Sequence, residues 1–472
     1  MHVALSVALV VAYVVVLTFV AVRARAAREY DDFSIAKRSL PLALIFGSLC
    51  ATYVGPGFSL GFVGRGYNGG FLFLFIGVAY AVQNILVGLL VAPKLRELQG
   101  CYTLGDAIGQ KYGSRCQLVA GIISVLLCTL FSAVMISAGG RVLQNMLGLE
   151  KWAAVALVAA VTASYTAFGG LRASVITDAY HFALHAFLFS GILLYVLVAH
   201  FKGGAASFAQ EAITATARGF QTATPLEIIT FIIAFLLGET LIPPYANLAL
   251  ASKTTKVSRA SFILAGGFAI VWFAVMIGIG IVARPLVAAD TSEDSILLKL
   301  VKATVPQAGY TVMMVALLSV ILSSLDSLLN AGAVVFTQDV LRRFTLRRDS
   351  AALAAGRYST VIIAAVASGL AVFVPSVIKG LLVCYGIWAP AILPAAIIGL
   401  WSKRPRPLAA FLSMIVGTVV GAAVGIVFLV YQQGQGRISK VETPAIVPAL
   451  VCSLAAYLIG HYAQRFVGGR DR

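Results

Sequence analysis

Apolar stretches of about 17 to 31 residues, each long enough to cross a hydrocarbon core of about 30 Å, recur along the chain. They fall near 3–22, 41–63, 70–92, 117–147, 152–168, 174–200, 225–250, 260–283, 308–337, 352–374, 376–401, 408–430 and 444–466. Thirteen such stretches, here called spans 1 to 13, predict an all-α polytopic membrane protein. Two of them are interrupted. In span 2, "CATYVGPGFSLGFVG" places Gly55-Pro56-Gly57 at mid-membrane, where proline lacks the amide that would bond the carbonyl four residues earlier and glycine eases unwinding. In span 7, "FLLGETLIPPYANLALAS" repeats the device with Gly238 and Pro243-Pro244. The interruptions lie five spans apart, so spans 2–6 and 7–11 read as two five-helix halves that cross the membrane in opposite senses. Matching breaks in inverted halves point to a transporter's central binding site, because freed backbone groups need a polar cavity to line.

Span 9 carries the densest polarity, in "LSSLDSLLNAG". At roughly 100° per residue, Ser319, Ser323, Asp326 and Asn330 share one narrow face, Ser327 flanks it and Ser324 lies to the other side. A serine in such a helix can bond back to a carbonyl one turn earlier and allow close packing. An aspartate is different: at the centre of a membrane helix it costs roughly 2.5–3.5 kcal/mol on insertion scales. Hydroxyl and carbonyl oxygens suit hard cations, so hydroxyls of Ser323 and Ser324 together with carbonyls freed in span 2 can form an alkali-ion site.

Composition agrees with the pattern: 60% of the 472 residues are hydrophobic and 11% charged, with a mean hydropathy of +0.96. The net charge of +17 belongs to the loops. With the amino terminus outside, the inner loops collect most of the 35 basic residues, among them Arg25, Lys37, Lys94, Arg172, Lys253, Arg342, Arg347, Lys403, Arg470 and Arg472. The positive-inside rule then puts the carboxyl terminus in the cytoplasm, and nucleic acid is not an expected partner. Cys50, Cys101, Cys116, Cys128, Cys384 and Cys452 show neither a CxxC pair nor a framework spacing, so they indicate neither disulfides nor a metal centre. The first stretch is too long for a signal-peptide core and is followed by "RARAAR", so it is kept as a span. One transmembrane domain over 1–472 results. It comprises a leading span and loop (1–40), a first repeat (41–200), a second repeat (225–401) and two trailing spans (402–472).

Three segments carry a resemblance. "LSSLDSLLNAGAVVFTQDVLRR", "YTAFGGLRASVITDAYHF" and "SLCATYVGPGFSLGFVGRGY" resemble the signature helix, the Gly-Gly to Thr-Asp segment and the first core helix of the sodium:solute symporter family, in the family's order along nearly the whole chain. The resemblance implies a LeuT-type 5+5 inverted repeat with one helix before and two after the core, and alternating access coupled to Na+. It further implies a sodium site from the carbonyls of Ala51, Val54 and Val320 and the hydroxyls of Ser323 and Ser324. A second sodium site, present in some members, corresponds to Asp178, Asp326 and Ser327; alternatively Asp178 is an interfacial carboxylate near Arg172. The chain departs from the family in having Asn247-Leu248 after the span 7 prolines and His181 after "T-D". His181 and His185 stand one turn apart, a spacing that can hold zinc, but no third ligand is evident, leaving sodium as the expected metal.

The solute, a small polar organic molecule such as a carboxylate or amino acid, is expected between the breaks. Candidate contacts are Tyr53 and Phe58, Ser132 on span 4, Glu239 and Thr240, and Tyr385 and Trp388 on span 11. Glu239 is the sharpest, since an intramembrane carboxylate is a functional candidate by default. It can pair with a cationic solute group, carry a proton or bond the unwound backbone. Arg65 and Arg141 near the outer mouth either attract anions or are simply solvated. The reading is a sodium-coupled importer, and the short loops suggest a bacterial inner membrane. Its rivals are proton coupling through Asp178, Asp326 or Glu239 and a solute-sensing subunit that does not translocate. Oligomeric state is not legible.

Overall fold

The described residues of the computed structural model are 2–23, 27–201, 204–289, 291–344, 348–374, 376–434 and 446–467. Arg25, Arg347, Arg470 and Arg472, assigned above to the inner loops, lie outside them. Among the described residues the regular structure is helical, with one isolated parallel bridge between Leu40 and Ser252.

Nine helices are long and apolar enough to cross a bilayer among the described residues, or ten if the pair Gly204–Thr222 and Pro225–Leu237, bent by 103°, is one span. Thirteen apolar stretches give fewer such helices because breaks both merge and divide them. Spans 5 and 6 form one helical run, Lys151–Ala199, kinked at Gly170 with φ +61°. A side chain there would be strained in the left-handed region and would meet the Phe33 backbone. Span 2 divides into Leu42–Tyr53 and a second part from Gly57 that runs on through span 3 to Glu97. Span 7 divides into Pro225–Leu237 and Pro243–Ala251. Thr224 starts the first half with a capping box, its side chain accepting from the Glu227 amide, and proline at the first position suits a helix start.

Span 9 (Gln307–Val335) is the central post: 89% of its most apolar window is buried, against 22% for Lys151–Ala199. The exposed side chains of the latter include Phe187, Leu194 and Val198. In a bilayer such a face is solvated by lipid. The polar stripe of span 9, by contrast, is wholly inside protein.

Spans 2 and 8 approach at small residues. A Cβ on Gly280 would lie 2.6 Å from the Tyr67 amide nitrogen, and one on Gly66 would lie 2.7 Å from Ile277 Cα. Such backbone-to-backbone approach is how membrane helices associate when burial against lipid gains nothing. At the outer end, as the charge pattern assigns it, two adjacent acids hold two helices. Glu293 is 3.6 Å from Arg65 on span 2, and Asp294 accepts from Arg141 on span 4 at 3.0 Å. Neither arginine is simply solvated. Helices outside the thirteen stretches went unforeseen, among them Leu104–Tyr112, Gly204–Thr222 and Ile296–Thr304; none carries an apolar run long enough to have marked it as a span.

At the other end, Asp106 and Asp339 share Gln117, whose amide nitrogen lies 2.6 Å from Asp106 Oδ1 and 3.0 Å from Asp339 Oδ1. Thr103 caps the helix Leu104–Tyr112 through the Asp106 amide and donates to Asp339 at 2.9 Å. This ties that helix to the foot of span 9. Burial pushes the Asp106 carboxyl above the usual carboxylate range, and bonds from the Tyr102 amide and Gln338 only partly oppose it. A carboxyl raised in the fold stabilises it fully below the unfolded value, about 3.9, and that contribution is lost as pH rises through the raised value.

Two outcomes are expected. Gly280→Leu should lower the melting temperature and the yield of inserted protein, because overpacking costs about 1–3 kcal/mol or more. Gly267→Leu, where an added Cβ meets nothing within 4 Å, should leave both unchanged. Asp106→Asn should flatten the fall in melting temperature as pH rises above about 4; a slope identical to the parent's would remove Asp106 from the account.

Candidate functional site

The site is built where span 2 stops. Helix Leu42–Tyr53 ends, Val54 and Gly55 turn back on Cys50 and Thr52, and the chain resumes as a wide helical turn at Gly57–Gly61. Pro56 supplies no amide at this point, so nearby carbonyls look elsewhere. The Val54 carbonyl accepts from the Ser59 hydroxyl at 2.6 Å, and the Thr52 carbonyl lies 3.3 Å from the Ser324 hydroxyl. The same hydroxyl is 3.3 Å from the Val320 carbonyl. Span 9 is thus laid against the first break at Ser324. A Cβ on Gly55 would stand 3.0 Å from Ser324 Oγ, so the glycine is what lets the helices approach. Ala51, Val54, Val320, Ser323 and Ser324 are all buried at this junction. Thr52 joins them without having been singled out, since a backbone oxygen leaves no trace in residue type.

Ser323 points the other way. It donates to Asp178 Oδ1 at 2.5 Å, while Ser48 donates to Asp178 Oδ2 at 2.5 Å and Ser327 at 3.4 Å. Asp178 is therefore fully buried among spans 2, 6 and 9, and the interfacial alternative fails: Arg172 pairs instead with Asp32, at 2.9 Å. Asp326 Oδ1 accepts from Ser174 at 2.8 Å, and Ser174 lies 3.3 Å from Ser327. The second oxygen of Asp326 is buried with no hydrogen-bond partner. Asp178, Asp326 and Ser327 are thus brought together, with Ser48 and Ser174 completing a shell of oxygens. Asn330 reaches the Phe33 carbonyl at 3.5 Å.

Glu239, just past the seventh-span break at Leu237, is held by three phenols. Tyr80 on span 3 donates to it at 2.7 Å, Tyr245 at 2.8 Å and Tyr385 on span 11 at 2.5 Å. The Trp388 indole donates to the Thr240 carbonyl at 2.9 Å, and the Thr240 hydroxyl meets the Gln83 amide at 2.6 Å. Tyr53 donates to Asn84, and its ring meets those of Tyr80 and Tyr245 edge-on, with centroids 5.3 and 4.9 Å away. Phe58 packs on Tyr80 at 4.7 Å. A narrow cavity of about 20 Å³, room for about one water molecule, joins the regions and is lined among others by Thr52, Phe58, Glu239, Tyr245 and Ser324. On span 4 its lining residues are Phe131 and Met135, while Ser132 is buried with its hydroxyl without a hydrogen-bond partner. Tyr80, Tyr245, Asn84 and Gln83 had carried no signal, because polar residues on an apolar helix become a set only once helices assemble.

The two histidines do not converge on a metal. His181 Nε2 is 2.8 Å from the Tyr13 hydroxyl and His185 Nε2 is 2.8 Å from Ser319 Oγ, with rings stacked at 6.0 Å. Among the described residues no group of three or more His, Cys, Asp or Glu side chains is placed to hold a metal ion.

Broken helices, a buried oxygen-rich junction and a cavity between them define a secondary transporter, and comparison with known proteins gives the family. The profile of the sodium:solute symporter family matches residues 33–417. High-affinity choline transporter 1 of Caenorhabditis elegans is 33% identical over 148 residues, which is 31% of this chain and 26% of that protein. The sodium/pantothenate symporter of Escherichia coli (strain K12) is 23% identical over 96% of this chain and 95% of its own. Among solved structures, a Na+-coupled sialic acid symporter in a substrate-bound outward-open state has a TM-score of 0.79, covering 97% of this chain and 96% of that one. Its identity is 16%, so that likeness is one of fold. The chain belongs to the sodium:solute symporter family. It is a multi-pass membrane transporter of small molecules, not an enzyme, and its coupling ion is Na+.

Removing one phenol should be felt through Glu239. A hydrogen bond to a charged group is worth about 1.5–3 kcal/mol, so Tyr385→Phe should destabilise the purified protein by about that amount in a denaturant melt. Combined with Glu239→Gln the effects should fall short of additive; strict additivity would show that the pair does not act as a unit.

Proposed function

We propose that the chain imports a small polar organic solute together with Na+ by alternating access, on thirteen spans arranged as a 5+5 inverted repeat. In this reading spans 2–6 and 7–11 are the two halves, the amino terminus is outside, the carboxyl terminus is cytoplasmic, and the membrane is a bacterial inner membrane. The observation that carries it is the junction of the first break with span 9, where the Ser324 hydroxyl lies 3.3 Å from the Thr52 carbonyl. A cation binding there draws oxygens from two helices.

The Na+ would be held by the carbonyls of Ala51, Val54 and Val320 and the hydroxyl of Ser324, with the Thr52 carbonyl added from the geometry, and the Ser323 hydroxyl would join them by turning from Asp178. Hydroxyl and carbonyl ligands in a buried pocket fit a hard monovalent ion. A second Na+ would sit at Asp178, Asp326 and Ser327, whose carboxylates share a buried space without a basic partner among the hydrogen bonds and ion pairs seen at these residues. The ion bridges spans 2 and 9 and favours the state in which the solute cavity is formed. The population shifts only as far as the ion binds that state better than the other. Solute then binds between the breaks, against Tyr53, Phe58, Glu239, Thr240, Tyr385 and Trp388, and rocking of the halves carries both inward. The relatives do not select the solute: choline is a cation and pantothenate an anion.

Ser323→Ala combined with Ser324→Ala should abolish Na+-stimulated uptake in proteoliposomes while the protein still inserts. Full uptake in that double variant, or uptake driven by a pH gradient alone, would overturn the sodium-site assignment.

A further inference from the structure

We propose that the transported solute carries a methylated ammonium group, held by the Glu239 carboxylate and the aromatic faces around it. The proposal deepens the symport reading and rests on it for where the solute sits. Among the residues lining the cavity Glu239 is the one acid, and no lysine, arginine or histidine lines it; in this binding mode Glu239 is the carboxylate to which the three phenol hydroxyls donate. In a buried cavity the Coulomb term is far stronger than in water, so an anionic solute meets a like charge with no basic side chain beside it, and the Na+ proposed at Thr52 and Ser324 is the one cation it could pair with.

The helix ends point the same way. At both breaks a helix finishes, at Tyr53 and at Leu237, and helix carboxyl ends favour positive charge. The helices that resume offer an anion little. Pro56 precedes the first and Pro243-Pro244 open the second, and prolines have no amide N–H. The amides of Phe58 and Ser59 are already spent on the Gly55 carbonyl at 3.0 Å.

The state of Glu239 narrows the class of cation. A carboxylate has about four lone-pair sites, and three phenols occupy three of them. A primary ammonium would bring three N–H donors to a cavity with few free acceptors. A methylated ammonium brings none. It needs negative charge nearby and ring faces to lie against, and Phe58, Phe131 and Tyr245 line the cavity itself.

The test is ligand-induced thermal stabilisation of the purified full chain in Na+, with choline, its uncharged carbon isostere 3,3-dimethyl-1-butanol, and acetate as probes. Choline should stabilise at a concentration at least tenfold lower than the isostere, and acetate should not stabilise. Glu239→Gln should weaken choline at least tenfold while keeping the stabilisation by Na+. Equal response to choline and the isostere, stabilisation by acetate alone, or undiminished choline binding in Glu239→Gln would each overturn the proposal. If Glu239→Gln does not accumulate, choline against the isostere on the parent protein decides. Melting indifferent to Na+ with choline still preferred would count against the symport reading and support the cation assignment.

Discussion

A hydrocarbon core offers no hydrogen bonds, so every carbonyl released where a membrane helix stops must find its partner inside the protein. That constraint organises this molecule. Breaks at Val54–Pro56 and at Gly238–Ile242 free backbone groups at mid-depth, and the surrounding helices supply what answers them: Ser59 for Val54, Ser324 for Thr52, Trp388 for Thr240. Each answering group comes from a serine or tryptophan whose presence in an apolar helix would otherwise be a liability. The most buried of the membrane-length helices, span 9, therefore carries five serine and threonine hydroxyls.

Much of this architecture is legible in the chain. Apolar runs, the Gly-Pro-Gly and Pro-Pro interruptions and the serine-rich stripe each state a local physical requirement, and local requirements survive into the fold. What was not legible depends on how segments join. A single glycine, Gly170, turns two apolar runs into one kinked helix, and nothing in hydropathy distinguishes that from two helices with a loop. Gly204–Thr222 is helical without an apolar run, so a search for spans passes over it.

The site divides along the same line. Ser323 and Ser324 stood out because they are adjacent hydroxyls in a membrane helix, yet their division of labour did not: one faces Asp178 and the other the Thr52 carbonyl. Asp178 and Asp326 were conspicuous by charge, whereas Ser48 and Ser174 are small residues of a kind common at helix contacts. Glu239 was visible alone. Of its tyrosines Tyr385 was singled out, but not as a partner of Glu239, and Tyr80 and Tyr245 were not, since Tyr80 and Tyr385 lie 159 and 146 positions away.

Those phenols have a further effect. Because Tyr80, Tyr245 and Tyr385 come from spans 3, 7 and 11 and all converge on Glu239, in the proposed binding mode the protein carries its own stand-in for the solute. Any incoming group competes with an internal rival tethered at high effective concentration, so the attraction of a deeply buried charge is moderated before a ligand arrives. A carrier must let go as readily as it takes hold, and a self-satisfied carboxylate is one way for a strong site to remain a reversible one.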